Sequence, residues 1–286
     1  MSALASIRKR FNDAPWQLWG SQVLAILRIE LKKNLWMRRS LWIYLLAFGP
    51  VVLIGLAALE SALRGRCNIS QDTQGFAIVF QTFYLRLAMF FGCMGLFTWL
   101  FRGEVVEKSL HYYFLAPMRR EVLIVGKFLA GLVASAGIFG TSVLLSFALV
   151  YGYCAAGRAF IFDGPGFGHL AAYLSVTVLA CLGYGSVFLA LSLVAKNPVL
   201  PGIMVLLWES LHSVMPALLQ KFSVTFYLKQ LCPVPIPSDG LMALFTVVAE
   251  PVSPWIAIPG LIALCAFILF LACWRIRRTE ISYLAD

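Results

Sequence analysis

Three ionisable side chains stand inside long apolar stretches of the sequence: Arg86, Glu209 and His212. A charged group inside a bilayer is costly unless it is paired or hydrated, so such residues mark candidate functional positions. We expect Arg86 and Glu209 each within roughly 5 Å of the membrane midplane, with His212 one helical turn from Glu209. One interpretation is an Arg86–Glu209 ion pair at or near a translocation path. In the alternative, Arg86 extends outward and Glu209 is satisfied locally.

The chain lacks the motifs of nucleotide hydrolysis and of common hydrolytic chemistry. No G-x-x-x-x-G-K-[ST] phosphate-binding loop occurs, because Gly126-Lys127 lacks the upstream glycine and is followed by Phe128. No HExxH motif, nucleophile elbow or CxxC pair is present either. We therefore predict no catalytic residue, metal site or cofactor on this chain. Cys67 and Cys232 fall in predicted outer loops, and a disulfide between them is one open possibility.

The composition indicates what kind of protein must position these residues. Of 286 residues, 61% are hydrophobic and 13% are charged, and the mean hydropathy is +0.85. Soluble domains average about 45–50% apolar and about 25% charged residues, which excludes the soluble, disordered and coiled-coil classes. The sequence therefore predicts an all-α polytopic membrane protein.

Six apolar stretches are long enough to cross a bilayer, which takes about 20 residues in a helix. Charged or turn-forming segments separate them, and the fourth and fifth are joined only by a tight hairpin at Lys196. The six predicted transmembrane helices are Ser40–Leu59, Thr73–Phe101, Phe128–Gly157, Gly164–Ala195, Asn197–Gln220 and Pro251–Trp274.

The net charge of +10 is interpreted as a topology signal rather than as a sign of nucleic-acid binding. Six spans put both termini on one side, where 17 Lys and Arg residues fall, against five on the other side. The positive-inside rule then predicts cytoplasmic N- and C-termini, and we expect a bacterial inner membrane. The predicted domains are a cytoplasmic arm (1–39), a transmembrane domain (40–274) and a cytoplasmic tail (275–286).

Three segments outside the spans have the pattern of structured elements. Leucines at helical spacing in Gln22–Trp36 predict an amphipathic helix on the cytoplasmic interface. In the loop 102–121 after span two, a second amphipathic helix over Glu104–Leu115 is expected to end before Pro117. The outer segment 221–250, which contains three closely spaced prolines and a short apolar piece, predicts a re-entrant or interfacial helix between spans five and six.

The segment from Glu104 to Lys127 resembles the permease subunits of type 2 ABC transporters. In that family the segment contains an acidic residue, a leucine-rich helix, a Pro-(Ile/Val/Met)-(Ser/Arg)-Arg step and Leu-Gly-Lys. The corresponding residues here are Glu104, the Leu110–Leu115 stretch, Pro117-Met118-Arg119-Arg120 and Val125-Gly126-Lys127. Where the family has a small residue and then leucines, this chain has Lys-Ser-Leu-His-Tyr-Tyr-Phe, so the resemblance concerns the family and not a subfamily.

The resemblance implies a division of labour between chains. Two permeases, either two copies of this chain or this chain and a homologue, would associate with two cytoplasmic ATP-binding subunits that hold ATP and Mg²⁺. The loop helix would be the coupling helix, seated in a groove of the ATPase, and the N-terminal amphipathic helix would be the connecting helix beside it. The residues implied in coupling to the ATPase are Glu104, Glu107, Leu110, His111, Tyr113, Phe114, Pro117, Arg119 and Arg120, and those of the connecting helix are Arg28, Glu30, Lys32 and Lys33.

Family members mostly export, so we expect a hydrophobic or amphipathic substrate, with ATP hydrolysed on the partner subunit. Two other classes stay open at this point. A structural subunit of a larger membrane complex would tolerate substitutions in the loop 102–121. An intramembrane enzyme would need converging polar groups in the spans, for which the sequence offers only Arg86, Glu209 and His212.

Overall fold

A computed structural model describes residues 16–36, 40–106, 115, 119–195, 197, 199–211, 216–236 and 253–277. Every regular element in these ranges is helical. A π-helical segment, Phe80–Ala88, continues α3 directly into α4. The α-helices are α1 (Trp16–Trp36), α2 (Leu41–Leu63), α3 (Ile69–Val79), α4 (Met89–Val106), α5 (Arg120–Gly152), α6 (Ala155–Phe162), α7 (Gly166–Val194), α8 (Val199–Leu211), α9 (Ala217–Gln220), α10 (Val224–Gln230) and α11 (Pro254–Arg277).

Five of these helices are long and apolar enough to cross a membrane: Leu41–Leu63, Ile69–Glu104, Arg120–Gly152, Gly166–Val194 and Pro254–Ile276. They correspond to predicted spans one to four and six. With the shorter apolar helix α8, they define an all-α polytopic membrane protein.

The third span is shifted from its predicted position. The helix α5 begins at Arg120, eight residues before Phe128, and ends at Gly152 rather than at Gly157. Glu121 lies in its first turn, where a carboxylate interacts favourably with the helix dipole, so the charged start belongs to the helix and not to the loop.

The fifth apolar stretch, Asn197–Gln220, is not a single helix. The helix α8 has 13 residues and is therefore about 20 Å long, against about 30 Å for the hydrocarbon core of a bilayer. Residues 212–215 lie outside the described part, and Pro216 then precedes the one-turn helix α9 with an extended ψ of 146°. Apolarity alone predicted the length of the stretch but not this interruption.

The centre of the bundle is formed by α4, α5 and α7, which pack closely against one another. The ring of the buried Phe97 on α4 lies between two glycines of its neighbours. A Cβ atom on Gly131 of α5 or on Gly185 of α7 would lie 2.6 or 2.5 Å from this ring. Small residues at these positions let the helix backbones approach, as is common between membrane helices.

One end of the bundle carries α1, which packs along α5, together with the end of α4 and the end of α11. We call this end the α1 side and the opposite end the far side. At the far side a disulfide joins Cys67, before α3, to Cys154, after α5.

The pairing of Cys67 with Cys232 is therefore wrong. The predicted span Phe128–Gly157 includes Cys154, but α5 ends at Gly152 and leaves this cysteine in the far-side connection. Cys232 is a free thiol whose Sγ donates to the carbonyl of Leu228 at 3.4 Å.

Of the predicted re-entrant segment 221–250, residues 221–236 are described. They contain α10, which packs against α7, α11 and the π-helical segment. A Cβ on Gly183, in the middle part of α7, would meet Val224 at 2.6 Å. The start of α10 thus lies beside the body of α7 and not beyond its far-side end.

Candidate functional site

A buried charge cluster joins three elements on the α1 side. The ammonium of Lys127, on α5, lies 2.6 Å from Glu30 Oε1 on α1 and 2.6 Å from Glu104 Oε1 on α4. It also donates to the carbonyl of Leu100 at 3.0 Å. The three side chains are 0%, 2% and 1% exposed. We call Glu30, Glu104 and Lys127 the charge cluster.

The geometry satisfies every hydrogen-bond donor of the lysine. An ammonium has three N–H groups, and three acceptors lie within 3.0 Å of Lys127 Nζ. Charges taken out of water need such partners, because an isolated buried charge is strongly destabilising. The cluster is thus a tight connection between α1, α4 and α5.

The residue before this lysine allows α1 to approach α5. A Cβ on Gly126 would lie 3.1 Å from three side-chain atoms of Ile26, so a larger side chain here would require Ile26 to shift. The dipeptide Gly126-Lys127 therefore has two roles: the glycine permits the close approach, and the lysine bridges to Glu30.

Two arginines extend the contacts of the α1 side to its other elements. The guanidinium of Arg119 lies 4.6 Å from the ring centroid of Trp19 on α1. Arg120 donates from Nη1 to the carbonyl of Ile276 at 3.2 Å, near the end of α11. The first turn of α5 therefore contacts both α1 and α11.

Only part of the predicted coupling region lies in the described ranges. The structure brings Glu104 and Glu30, from two separately predicted elements, to the same lysine. Arg28 and Lys32 on α1 are exposed, and Lys33 is half-buried. The remaining predicted coupling residues lie outside the described side chains: Glu107, Leu110, His111, Tyr113, Phe114 and Pro117.

Sequence reasoning missed Lys127 as a site residue. The signal was present, because the Gly-Lys step belonged to the motif that carried the family resemblance. A lysine at the predicted boundary of a span is ordinarily taken as an interfacial anchor. Complete burial between two carboxylates is visible only once α1 and α4 are placed.

Glu209 holds the start of α10. Its Oε1 accepts from the backbone N–H of Val224 at 3.0 Å, and its Oε2 accepts from Ser223 Oγ at 2.7 Å and from the N–H of Thr225 at 2.9 Å. The first N–H groups of a helix have no partner within the helix, and a carboxylate is favoured there. Glu209 thus fastens α10 to α8.

The interpretation of an Arg86–Glu209 ion pair is not the arrangement found. The described hydrogen bonds of the carboxylate go to the start of α10, and Arg86 is exposed on the π-helical segment. The local alternative holds because helix-start N–H groups inside an apolar bundle need an acceptor. His212 lies outside the described residues.

The π-helical segment is anchored on both sides by polar contacts. The hydroxyl of Tyr84 lies 2.8 Å from Ser142 Oγ and 2.8 Å from Ser146 Oγ on α5. Gln81 donates to the carbonyl of Val234 at 2.9 Å, beyond α10. π-Helical turns are rare and are frequent at functional sites.

The far side has its own polar connection beside the disulfide. Tyr153 donates to Asp72 Oδ2 at 2.7 Å, and Tyr151 donates to Thr73 Oγ1 at 3.0 Å. Burial, followed by the hydrogen bond to Asp72, raises the pKa of Tyr153 to about 12. The phenol therefore stays a donor at neutral pH and ties the end of α5 to α3.

Among the described residues, no group of three or more His, Cys, Asp or Glu side chains is arranged to hold a metal ion.

Comparison with known proteins defines the class. The family model of the ABC-2 family transporter proteins matches residues 26–209, which is more than half of the chain and includes the charge cluster, the π-helical segment and most of α8. The chain belongs to this family and is a permease of the ABC-2 type, the membrane component of an ABC transporter. No curated protein gives a significant match.

Proposed function

We propose that this chain is the membrane-spanning half of an ATP-driven exporter of hydrophobic or amphipathic molecules. Family membership supports a permease that works with an ATP-binding cassette subunit. ATP and Mg²⁺ would bind that subunit, and a second permease, either a copy of this chain or a homologue, would complete the path. The α1 side would face the cytoplasm of a bacterium, with the chain in the inner membrane, as the distribution of Lys and Arg predicts.

The observation that carries the proposal is the charge cluster. The segment 107–118 joins α4 to α5, and the ATPase would dock there. Glu104 precedes this segment and Lys127 follows it. The ammonium of Lys127 lies 2.6 Å from the carboxylate of Glu104 and 2.6 Å from that of Glu30 on α1. A displacement of the docked segment would therefore move α1, α4 and α5 together. We propose that the cluster transmits the closure of the ATPase dimer to the spans.

The surface of the bundle supports a partner in the membrane. In the most apolar part of α2 and of α11, only 17% and 22% of the residues are buried, against 56–67% in the other three long helices. The apolar residues of α8 are also largely exposed, including Leu200, Met204 and Leu207. Lipid and a second permease would cover these faces.

The test is to purify the tagged chain in mild detergent and to identify co-purifying chains by mass spectrometry. We expect a stoichiometric ATP-binding subunit whose ATPase rate depends on the permease. In Glu104→Gln and in Phe114→Ala the subunit should either dissociate or lose that dependence. Arg64→Gln is the matched control, because Arg64 pairs with Glu60 at the exposed far side.

Two results would contradict the proposal. In the first, the chain purifies alone or with membrane subunits that bind no nucleotide, which would favour a structural subunit. In the second, both variants keep the wild-type dependence of the ATPase rate, which would remove the coupling role of this region.

A further inference from the structure

Arg86 is an exposed cation at the middle of a membrane-spanning helix. It is the eighteenth of 36 residues in the helical stretch Ile69–Glu104, within the π-helical segment. The middle of a bilayer is about 15 Å from either headgroup region, farther than an arginine side chain extends. Within the described ranges, no hydrogen bond or ion pair joins Arg86 to another residue. A cation in this position faces water, another chain or a ligand.

A second exposed cation lies beside it. Lys229, on α10, is exposed, and α10 packs against the π-helical segment that carries Arg86. The Arg86 guanidinium and the Lys229 ammonium are within electrostatic range of each other, and Cys232 and Glu209 are within range of Lys229. Two cations on adjoining elements repel each other, and an anion that binds both would relieve the repulsion.

A second copy of the chain offers little to neutralise this pair. Glu209 is the one Asp or Glu residue within the six predicted spans. Its carboxylate already accepts three hydrogen bonds at the start of α10. Glu104, at the α1 side, is bound to Lys127. Among the described residues, the acids in and next to the spans are thus already engaged, and an anion bound from outside the chain would balance the charge beside Arg86.

We propose that Arg86 and Lys229 bind the anionic head, a phosphate or a carboxylate, of an amphipathic substrate whose apolar part lies along the exposed helix faces. The inference rests on the proposed function in one respect, that the bound molecule is the cargo. A guanidinium suits this task because its planar donors match a phosphate or carboxylate.

The test measures binding of two probes with the same chain length, dodecyl phosphate and the zwitterionic dodecylphosphocholine, to the full chain in nanodiscs. One cation near a lipid headgroup contributes enough for about a fivefold preference for the anion. We expect wild type to prefer dodecyl phosphate at least about fivefold, and Arg86→Gln or Lys229→Gln to lose most of this preference. Arg86→Lys should keep it, and Arg158→Gln, an exposed far-side arginine, is the matched control.

Equal binding of both probes by wild type, or an unchanged preference in the Arg86→Gln/Lys229→Gln double variant, would overturn the proposal. An altered oligomeric state with unchanged preference would assign Arg86 to a protein contact instead. In the complex with its ATPase, ATP should lower occupancy by dodecyl phosphate. Unchanged occupancy would indicate a resident lipid and would reject the substrate role. Binding to the chain alone needs no ATPase, so failure here is separable from failure of the permease function.

Discussion

At the scale of residues, two buried charged groups in the bundle each have several hydrogen-bond partners. Lys127 has three acceptors, and Glu209 accepts from three donors. Removing one member of such a group is destabilising, because it leaves the others buried without partners.

The charge cluster predicts a large cost for losing its cation. Lys127→Met should lower the free energy of unfolding by about 3–5 kcal/mol, because two buried carboxylates would lose their shared partner. Thermal unfolding of the purified protein measures this. The triple variant Glu30→Gln/Glu104→Gln/Lys127→Met should recover much of the loss, and Lys221→Met, at an exposed lysine, should be neutral. An unfolding midpoint unchanged in Lys127→Met would show that the cluster contributes nothing to stability.

At the scale of elements, the bundle is held by close backbone approach at its centre and by polar contacts at its short helices. The central helices meet through glycines, as Phe97 between Gly131 and Gly185 shows. The short helix α10 has only seven residues, and Glu209 accepts from the N–H groups at its start.

The central contact predicts that the smallest side chain added at Gly185 is destabilising. Gly185→Ala should cost about 1–3 kcal/mol, since its Cβ would lie 2.5 Å from the ring of Phe97, which is itself buried and confined by Gly131. Gly137→Ala on α5, where no atom lies within 4 Å, is the control and should be neutral or slightly stabilising. Adding Phe97→Leu should rescue Gly185→Ala in the same unfolding assay. Equal effects of the two alanines would argue against close packing at Phe97.

The anchoring of α10 predicts the reactivity of Cys232. Glu209→Ala leaves the helix-start N–H groups without acceptors and should increase local opening by about 1.4 kcal/mol or more, which is about tenfold. Maleimide labelling of Cys232 measures this opening, in a background with Cys273→Ser because Cys273 is the other half-buried cysteine outside the disulfide. Glu209→Gln should lie between wild type and Glu209→Ala, and Glu60→Gln serves as control. Labelling at the wild-type rate in Glu209→Ala would show that other contacts hold α10.

The elements were largely predictable from the sequence, whereas their partners were not. Uninterrupted apolar runs predicted the spans that became α2, α5, α7 and α11, because length and apolarity alone decide whether a helix can cross a bilayer. The interruption at Pro216 and the early start at Arg120 depended on backbone geometry and on charge at a helix end. Which groups bind Lys127 or Glu209 depends on how separate helices pack against one another, and no local pattern encodes this packing.

At the scale of the whole molecule, the two ends of the bundle differ in chemistry. One end holds the buried charges and the packed helix α1, and the other holds the disulfide and the hydrogen bonds of Tyr151 and Tyr153. Disulfides persist on the oxidising side of a membrane, so the position of Cys67–Cys154 supports the orientation proposed from the basic residues.

The proposed orientation in the membrane predicts from which side a reagent can reach the disulfide. In spheroplasts, a membrane-impermeant phosphine should reduce Cys67–Cys154, and both thiols should then react with a mass-tagged maleimide. Without reduction they should not react, whereas Cys67→Ser should leave Cys154 reactive from the start. In inside-out vesicles the same phosphine should have no effect. Reaction of both thiols before reduction, or reduction only from the opposite side, would contradict the orientation.

The π-helical segment Phe80–Ala88 also constrains how this stretch can vary among relatives. Each residue in a regular helix turns the chain by about 100°, so one residue inserted into a strict α-helix would rotate all that follows away from its neighbours. A π turn absorbs such a residue locally, and here Phe76 before it and Phe97 after it both face the core. Alignments of relatives that lack the extra residue should therefore show a single-position gap between 80 and 88, with the flanking core positions still matched. Residue count, more than residue identity, is the signature to look for in this stretch.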